Sequence, residues 1–246
     1  MTENFDKSVE TKHKDNPDVR PQQVLLDDNY STPAFPRDFK SCFNKDFLKN
    51  YHKGVMNYKY KDIPCLKSPI DLALYMMLIH KVKPKTIVEI GSFQGGSALF
   101  YADLADMYGI SSRVITVDFR DVQSQSDSRV EFIRADALNL EDSELHEALK
   151  SCPKPWLIIE DSAHTFDVCY AVLEYFSDKL DKGEYLIMED GIIEDQGGNH
   201  RYGGGPNKAI HEFFKAHPDV YHIDESLTDF FGYNATFNPN GYLVKN

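Results

Sequence analysis

From residue 69 onward, short apolar runs rich in β-branched residues alternate with stretches of helical spacing. The runs are "TIVEIG", "RVITVD", "VEFIRAD", "WLIIED" and "EYLIMED". Few folds accept such a pattern. A run of this length and composition reads as a strand buried on both faces. Strands that alternate with helices build a parallel sheet covered on both sides. The first helix is marked at its start: in "SPIDLALYMMLIHKV", Ser68 caps, Pro69 takes the first helical position and Asp71 lies in the first turn. Ile70, Ala73, Leu74, Met77 and Leu78 then repeat at helical spacing. "SALFYADLADMYG" predicts a second helix, closed by Gly109. Further helices are expected near 142–150, at 166–180 and at 207–216. The end of the chain reads strand, turn, strand ("VYHIDE", "FNPNG", "YLVK"). The expected fold is α/β, a mostly parallel sheet with one antiparallel C-terminal strand and helices on both faces.

The 246 residues suffice for one such domain and a modest extension. Residues 1–35 are polar and proline-dotted and read as an N-terminal arm. Residues 36–66 hold aromatics and short helical patterns, as in a segment that covers a site. Residues 67–246 carry the alternating pattern. The net charge of -12 argues against nucleic acid and anionic membranes as partners, since both call for a basic face. No apolar run is long enough to span a bilayer, and the N-terminus has no signal-peptide core. Cys42, Cys65, Cys152 and Cys169 form no CxxC pair. They are expected to be reduced packing residues in a cytoplasmic protein.

The predicted strands share a further property. Their carboxyl ends carry Glu89, Asp118, Asp136, Asp161 and the pair Glu189-Asp190. Ligands of open α/β sheets bind beyond those ends, so one edge should be lined with acid. In "VEIGSFQGGSALF", Gly91 ends a strand and Gly95-Gly96 open a helix, which suits a close backbone approach to a ligand. The loop lacks both the GxGxxG spacing and the Lys-Ser/Thr pair of a phosphate grip, and so suits a nucleoside without pyrophosphate. A plain tight turn is the other reading. Asp118 follows at the distance where an acid meets ribose hydroxyls, and Asp136 ends the next strand, where an adenine edge would lie. Alone, either acid could be a solvated strand end.

Neighbouring parallel strands lie about 4.8 Å apart. If the strands ending in Asp161 and in Glu189-Asp190 are neighbours, three carboxylates converge and repel. A divalent ion would relieve that repulsion, and all-oxygen ligation with open positions fits magnesium. His164 stands at the rim of this cluster, placed to accept a proton. A salt-bridged cluster and a surface histidine are the plainer readings. "DQGGNHRYGGGPNKAI" follows the acid pair and is either a mobile lid or a surface loop.

The residues "PIDLALYMMLIHKVKPKTIVEIGSFQGGSALFYADL", "VITVDFRD", "IIEDSAHTFDVCYAVLEYFSDKL", "YLIMEDG" and "GGGPNKAIHEFF", in that order, carry a resemblance. Over residues 54–244 the chain resembles the cephalosporin-hydroxylase-like methyltransferases, which include the cephamycin 7-methoxylation enzyme and macrolide-sugar O-methyltransferases. The glycine loop occurs in most methyltransferases; the ordered pair "DSAH" and "MEDG" is more specific. The resemblance implies a Rossmann-like class I methyltransferase sheet and a cofactor, S-adenosylmethionine. It implies Mg2+ on Asp161, Glu189 and Asp190, and a general base at His164. Cofactor contacts fall on Glu89, Gly91, Ser97, Asp118 and Asp136, with Ser92 and Gly95 of the same loop and Asp161. A homo-oligomer acting on a small-molecule hydroxyl is implied as well. N-methylation and a non-haem metal-dependent hydroxylase stay open as alternatives. A dinucleotide-dependent oxidoreductase and a non-catalytic binding protein are rivals that the missing phosphate grip and the acid cluster oppose.

Overall fold

The computed structural model describes residues 37–122 and 127–246. The arm expected at 1–35 lies outside the described residues. The first elements are helix α1 (Lys45–Val55), the two-residue strands β1 (Lys59–Tyr60) and β2 (Ile63–Pro64), and helix α2 (Pro69–Val82). Then follow β3 (Thr86–Ile90), α3 (Gly96–Met107), β4 (Arg113–Asp118), β5 (Val130–Arg134), α4 (Glu144–Leu149) and β6 (Trp156–Glu160). The remainder is α5 (Phe166–Ser177), β7 (Tyr185–Met188), α6 (Gly205–Ala216), β8 (Tyr221–Ile223), α7 (Glu225–Thr228) and β9 (Tyr242–Lys245). The predicted strands and main helices are all present, with helix ends shifted by one to three residues.

β3 to β9 form one seven-stranded sheet in the order β5-β4-β3-β6-β7-β9-β8. β3 to β7 run parallel, and β9 runs antiparallel between β7 and β8. Alternation along the strands sends side chains to two cores. Ile87, Val114, Leu157, Ile159 and Ile187 pack with α2 and α3 on one face. Val88, Ile115, Ile158 and Leu186 pack with α4, α5 and α6 on the other. Each fully buried Leu, Ile or Val contributes roughly 1.5–3 kcal/mol, so both faces must be covered for the parallel sheet to be stable.

The C-terminal strands pair as expected, but they are not a tight hairpin. Residues 224–241 intervene, and "FNPNG" contains the expected turn, with Gly241 N donating to Asn238 O at 2.8 Å, but the turn is buried. Several of its polar groups have distant partners, though Asn238 Nδ2 has none among the described residues. Phe237 N donates to Asp71 Oδ2 at 2.9 Å, and Asn240 Oδ1 accepts from Arg37 Nε at 2.9 Å. Buried polar groups need such partners, and sequence composition does not announce them. Among the described residues no helix is long and apolar enough to cross a membrane.

Candidate active site

The sheet order places the strand ends side by side. β6 lies between β3 and β7, so Asp161, just past β6, is flanked by the Gly91 turn and by Glu189-Asp190. The backbone locks this: Asp161 N donates to Ile90 O at 2.8 Å, and Glu189 N to Glu160 O at 2.9 Å. The neighbouring-strand condition for convergence of the acids is therefore met.

Asp161, His164 and Asp190 offer ligand atoms that all lie within 4.8 Å of one another. His164 Nε2 is 3.3 Å from Asp190 Oδ2 and 3.9 Å from Asp161 Oδ1. His164 (φ +55°) and Asp190 (φ +60°) both hold left-handed backbone, which few non-glycine residues adopt. Strain of this kind persists only where surroundings impose it. For Asp190 they are visible. Its N–H donates to Asn238 Oδ1 at 3.0 Å, and Asn207 Nδ2 donates to Gly191 O at 2.9 Å. A Cβ on Gly191 would sit 2.1 Å from Asn207 Oδ1.

Glu189 points elsewhere. Its Oε1 accepts from Lys67 Nζ at 2.7 Å and from the Tyr75 hydroxyl. Lys67 also binds Asp161 Oδ2, and its Nζ is 3.8 Å from Glu89 Oε1. The lysine side chain is 2 % exposed. Glu89 lies fully enclosed behind it, with Oε2 accepting from Thr116 at 2.8 Å and Oε1 without a hydrogen-bond partner among the described residues.

These groups shift one another. Burial pushes Asp161 and Asp190 above the usual carboxylate range. Burial, then the charge of Asp161, does the same to Glu189. Glu89 is pushed up to about 7, chiefly by burial. For Lys67, burial opposes the charge, but Asp161 and Glu189 outweigh it and hold the ammonium charged. Burial likewise opposes a charge on His164, and Asp190 and Asp161 outweigh it.

A cavity of about 560 Å³ runs from these acids to the glycine loop. Gly91, Ser92, Ser97, Asp118, Asp136 and Asp161 line it; Glu89 and Gly95 do not. Gly95 instead begins α3 with φ +80°. Gly91 has φ +112°, and a Cβ there would lie 2.0 Å from the carbonyl oxygen of Asp161. The glycine thus lets two strand ends touch. Asp118 accepts from Phe93 N at 3.2 Å and from Arg120 N at 3.0 Å. Burial would raise its pKa, but Arg120 prevails and lowers it. Asp136 is exposed at the far end.

The other wall comes from the segment before α2. His52, Val55 and Met56 of α1 and its end face the cavity, with Phe237 beside them. Asn44 caps α1, accepting from Phe47 N at 2.8 Å. The glycine-rich stretch after Asp190 also lines the cavity, through Gln196, Gly198, Arg201 and Tyr202. Phe166 N donates to Tyr202 O at 2.9 Å, which ties the stretch to α5.

A family model described as Rhamnosyl O-methyltransferase/CmcI matches residues 52–246. The chain belongs to the rhamnosyl O-methyltransferase/CmcI family. Its members and this chain share sequence over most of their length. The rhamnosyl O-methyltransferase of Mycobacterium leprae is 30% identical over 187 residues, 74% of this chain and 81% of that protein. That of Mycobacterium tuberculosis is 28% identical over 209 residues, 82% and 84%. A solved structure of CmcI with Mg and SAM superimposes with TM-score 0.62 at 23% identity, covering 88% of each chain. An apo CmcI structure gives 0.61 at 24%. These likenesses give the sheet and its helices the class I methyltransferase fold, and family membership makes the protein an O-methyltransferase. Lys67 was not singled out from sequence. "CLKSP" reads as the lead-in to a helix cap, and only the surplus of acid asks for a counter-charge.

Proposed function

We propose that the protein transfers the methyl group of S-adenosylmethionine to a hydroxyl of a small, sugar-like acceptor, with magnesium at the acid cluster. One observation carries this reading. A single cavity joins a glycine turn with two strand-end acids to an acid-histidine cluster across neighbouring strand ends.

The residues fit both groups. The cavity is of the size that encloses a cofactor-sized ligand, about 300–1,000 Å³. Asp118 and Asp136 provide acceptors where a nucleoside needs them, and the Gly91 turn leaves the backbone bare. Asp161 and Asp190 are hard oxygen donors with partial exposure, at 22% and 31%. Glu189 would join them on release from Lys67. When bound, the cofactor supplies an electrophilic methyl with a neutral thioether leaving group, and the ion favours the ionised form of a hydroxyl beside it.

The chain's own part is positional and basic. Ser92, Ser97 and the first turn of α3 hold the polar end of the cofactor. Neutral once the charges of Asp190 and Asp161 are shared with the ion, His164 Nε2 would take the acceptor's proton, oriented by the two acids. α1, Phe237 and the 196–202 stretch enclose the acceptor, and alignment of its oxygen with the methyl is worth several kcal/mol. The clustering of the His164 ring with the two acids favours a second reading, in which the imidazole itself ligates the ion. The acceptor class follows the rhamnosyl name of the relatives. Free, mostly buried cysteines support a cytoplasmic setting. Homo-oligomer formation is part of the same proposal.

The test is transfer of labelled methyl from S-adenosylmethionine into fractionated metabolites of the source cells. Label in a small-molecule fraction, lost with a chelator and restored by magnesium, is expected. Cofactor binding without transfer to any fraction, or transfer insensitive to chelator, would contradict the reading.

A further inference from the structure

Four carboxylates, Glu89, Asp161, Glu189 and Asp190, meet at the strand ends, and Lys67 is buried among them. The lysine sits on Asp161 Oδ2 and Glu189 Oε1. Toward the cavity, Asp161 Oδ1 and Asp190 are not held by the lysine and lie beside His164. Its backbone is anchored: Lys67 N donates to Cys65 O at 2.8 Å, and Cys65 N to Tyr58 O at 3.0 Å. The ammonium, by contrast, rides on a flexible four-carbon stem. A second seat lies close by. Glu89 Oε1, in a fully buried side chain, has no hydrogen-bond partner among the described residues and is 3.8 Å from Nζ. A buried carboxylate oxygen left unpaired is costly, and its nearest cation is this lysine.

We propose that Lys67 is a positioning residue that competes with a divalent cation for the same carboxylates. Without metal its ammonium holds Asp161 and Glu189 together; with metal it withdraws toward Glu89 and releases them. The proposal rests on the metal reading above. Its consequence is an exchangeable ion, because each binding event must displace an internal charge. A lysine that merely supported the fold would leave metal affinity unchanged.

The test is a titration of the cofactor-free, full-length protein with Mn2+, followed by calorimetry and by the electron spin resonance of free Mn2+. Wild type, Lys67→Met and Lys67→Gln are compared; Gln keeps hydrogen-bond donors without the charge. Removing a full charge this close to the ion should tighten Mn2+ binding by at least about tenfold. The rise in melting temperature on adding Mn2+ should also be larger in the variants, since the ion replaces the missing cation. Equal or weaker affinity in whichever variant folds would overturn the proposal. So would failure of both variants to fold even with Mn2+ present. Absence of binding by wild type and both variants would remove the metal reading itself, and the proposal with it. Binding by wild type, weakened by Asp161→Asn but unaffected at Lys67, would retire the lysine's role alone.

Discussion

Gly91 and His164 mark what single residues decide here. Gly91 takes φ +112°, and any Cβ would lie 2.0 Å from the Asp161 carbonyl oxygen. Gly91→Ala is therefore expected to cost at least about 1–3 kcal/mol of stability. Urea unfolding checks it; a loss within a few tenths of wild type would mean the turn can relax. The sequence identifies this glycine but not its reason, which is the approach of a neighbouring strand end. His164→Ala is expected to lower turnover at least about a hundredfold, as loss of a general base does. Mn2+ affinity should be retained. Loss of that affinity instead would make the ring a ligand. The meeting of His164 with Asp161 at a strand end was legible because apolar runs that stop on acid are unusual. Lys67 was not, because nothing local distinguishes a buried lysine from an exposed one. Its burial follows from which strands become neighbours.

Secondary-structure elements were largely legible, since hydrophobic period and capping chemistry are local. Ser68 caps α2 as read, accepting from Asp71 N. What the pattern did not reveal is the wiring between elements. Asp224 accepts from Tyr185 of β7 at 2.7 Å and from Lys81 of α2 at 3.2 Å, and it caps α7. Burial would raise its pKa, but Ser226, Tyr185 and Lys81 prevail and lower it. A carboxylate with a depressed folded pKa contributes stability above its unfolded pKa and loses it as pH falls through the folded one. Asp224→Asn should therefore lower the melting temperature at neutral pH, and the gap from wild type should close as pH drops below about 4. A gap that stays constant with pH would assign the effect to packing. The turn in "FNPNG" is present, with Gly241 N donating to Asn238 O, but its burial was not legible for the same reason: Phe237 N answers to Asp71, and the asparagines answer to Arg37 and Asp190, all distant in sequence.

At the scale of the whole molecule, a group of acids meets at one edge of the sheet. The strand ends gather carboxylates, Lys67 balances part of their charge, and the remainder faces a cavity that reaches the glycine loop. On the proposed reading, the ion seat at Asp161 and Asp190 would adjoin the cofactor seat at the Gly91 turn. The account makes Asp161 a residue of the reaction centre, with the fold held by the two apolar cores and the backbone ties of β3, β6 and β7. The most direct test is Asp161→Asn, measured for both S-adenosylhomocysteine binding by calorimetry and methyl transfer at saturating magnesium. The account predicts a fall in turnover of at least about a hundredfold with cofactor affinity within a few-fold of wild type. Parallel loss of both, with a lowered melting temperature, would show that the acids hold the fold and would contradict the assignment of this cluster to the reaction.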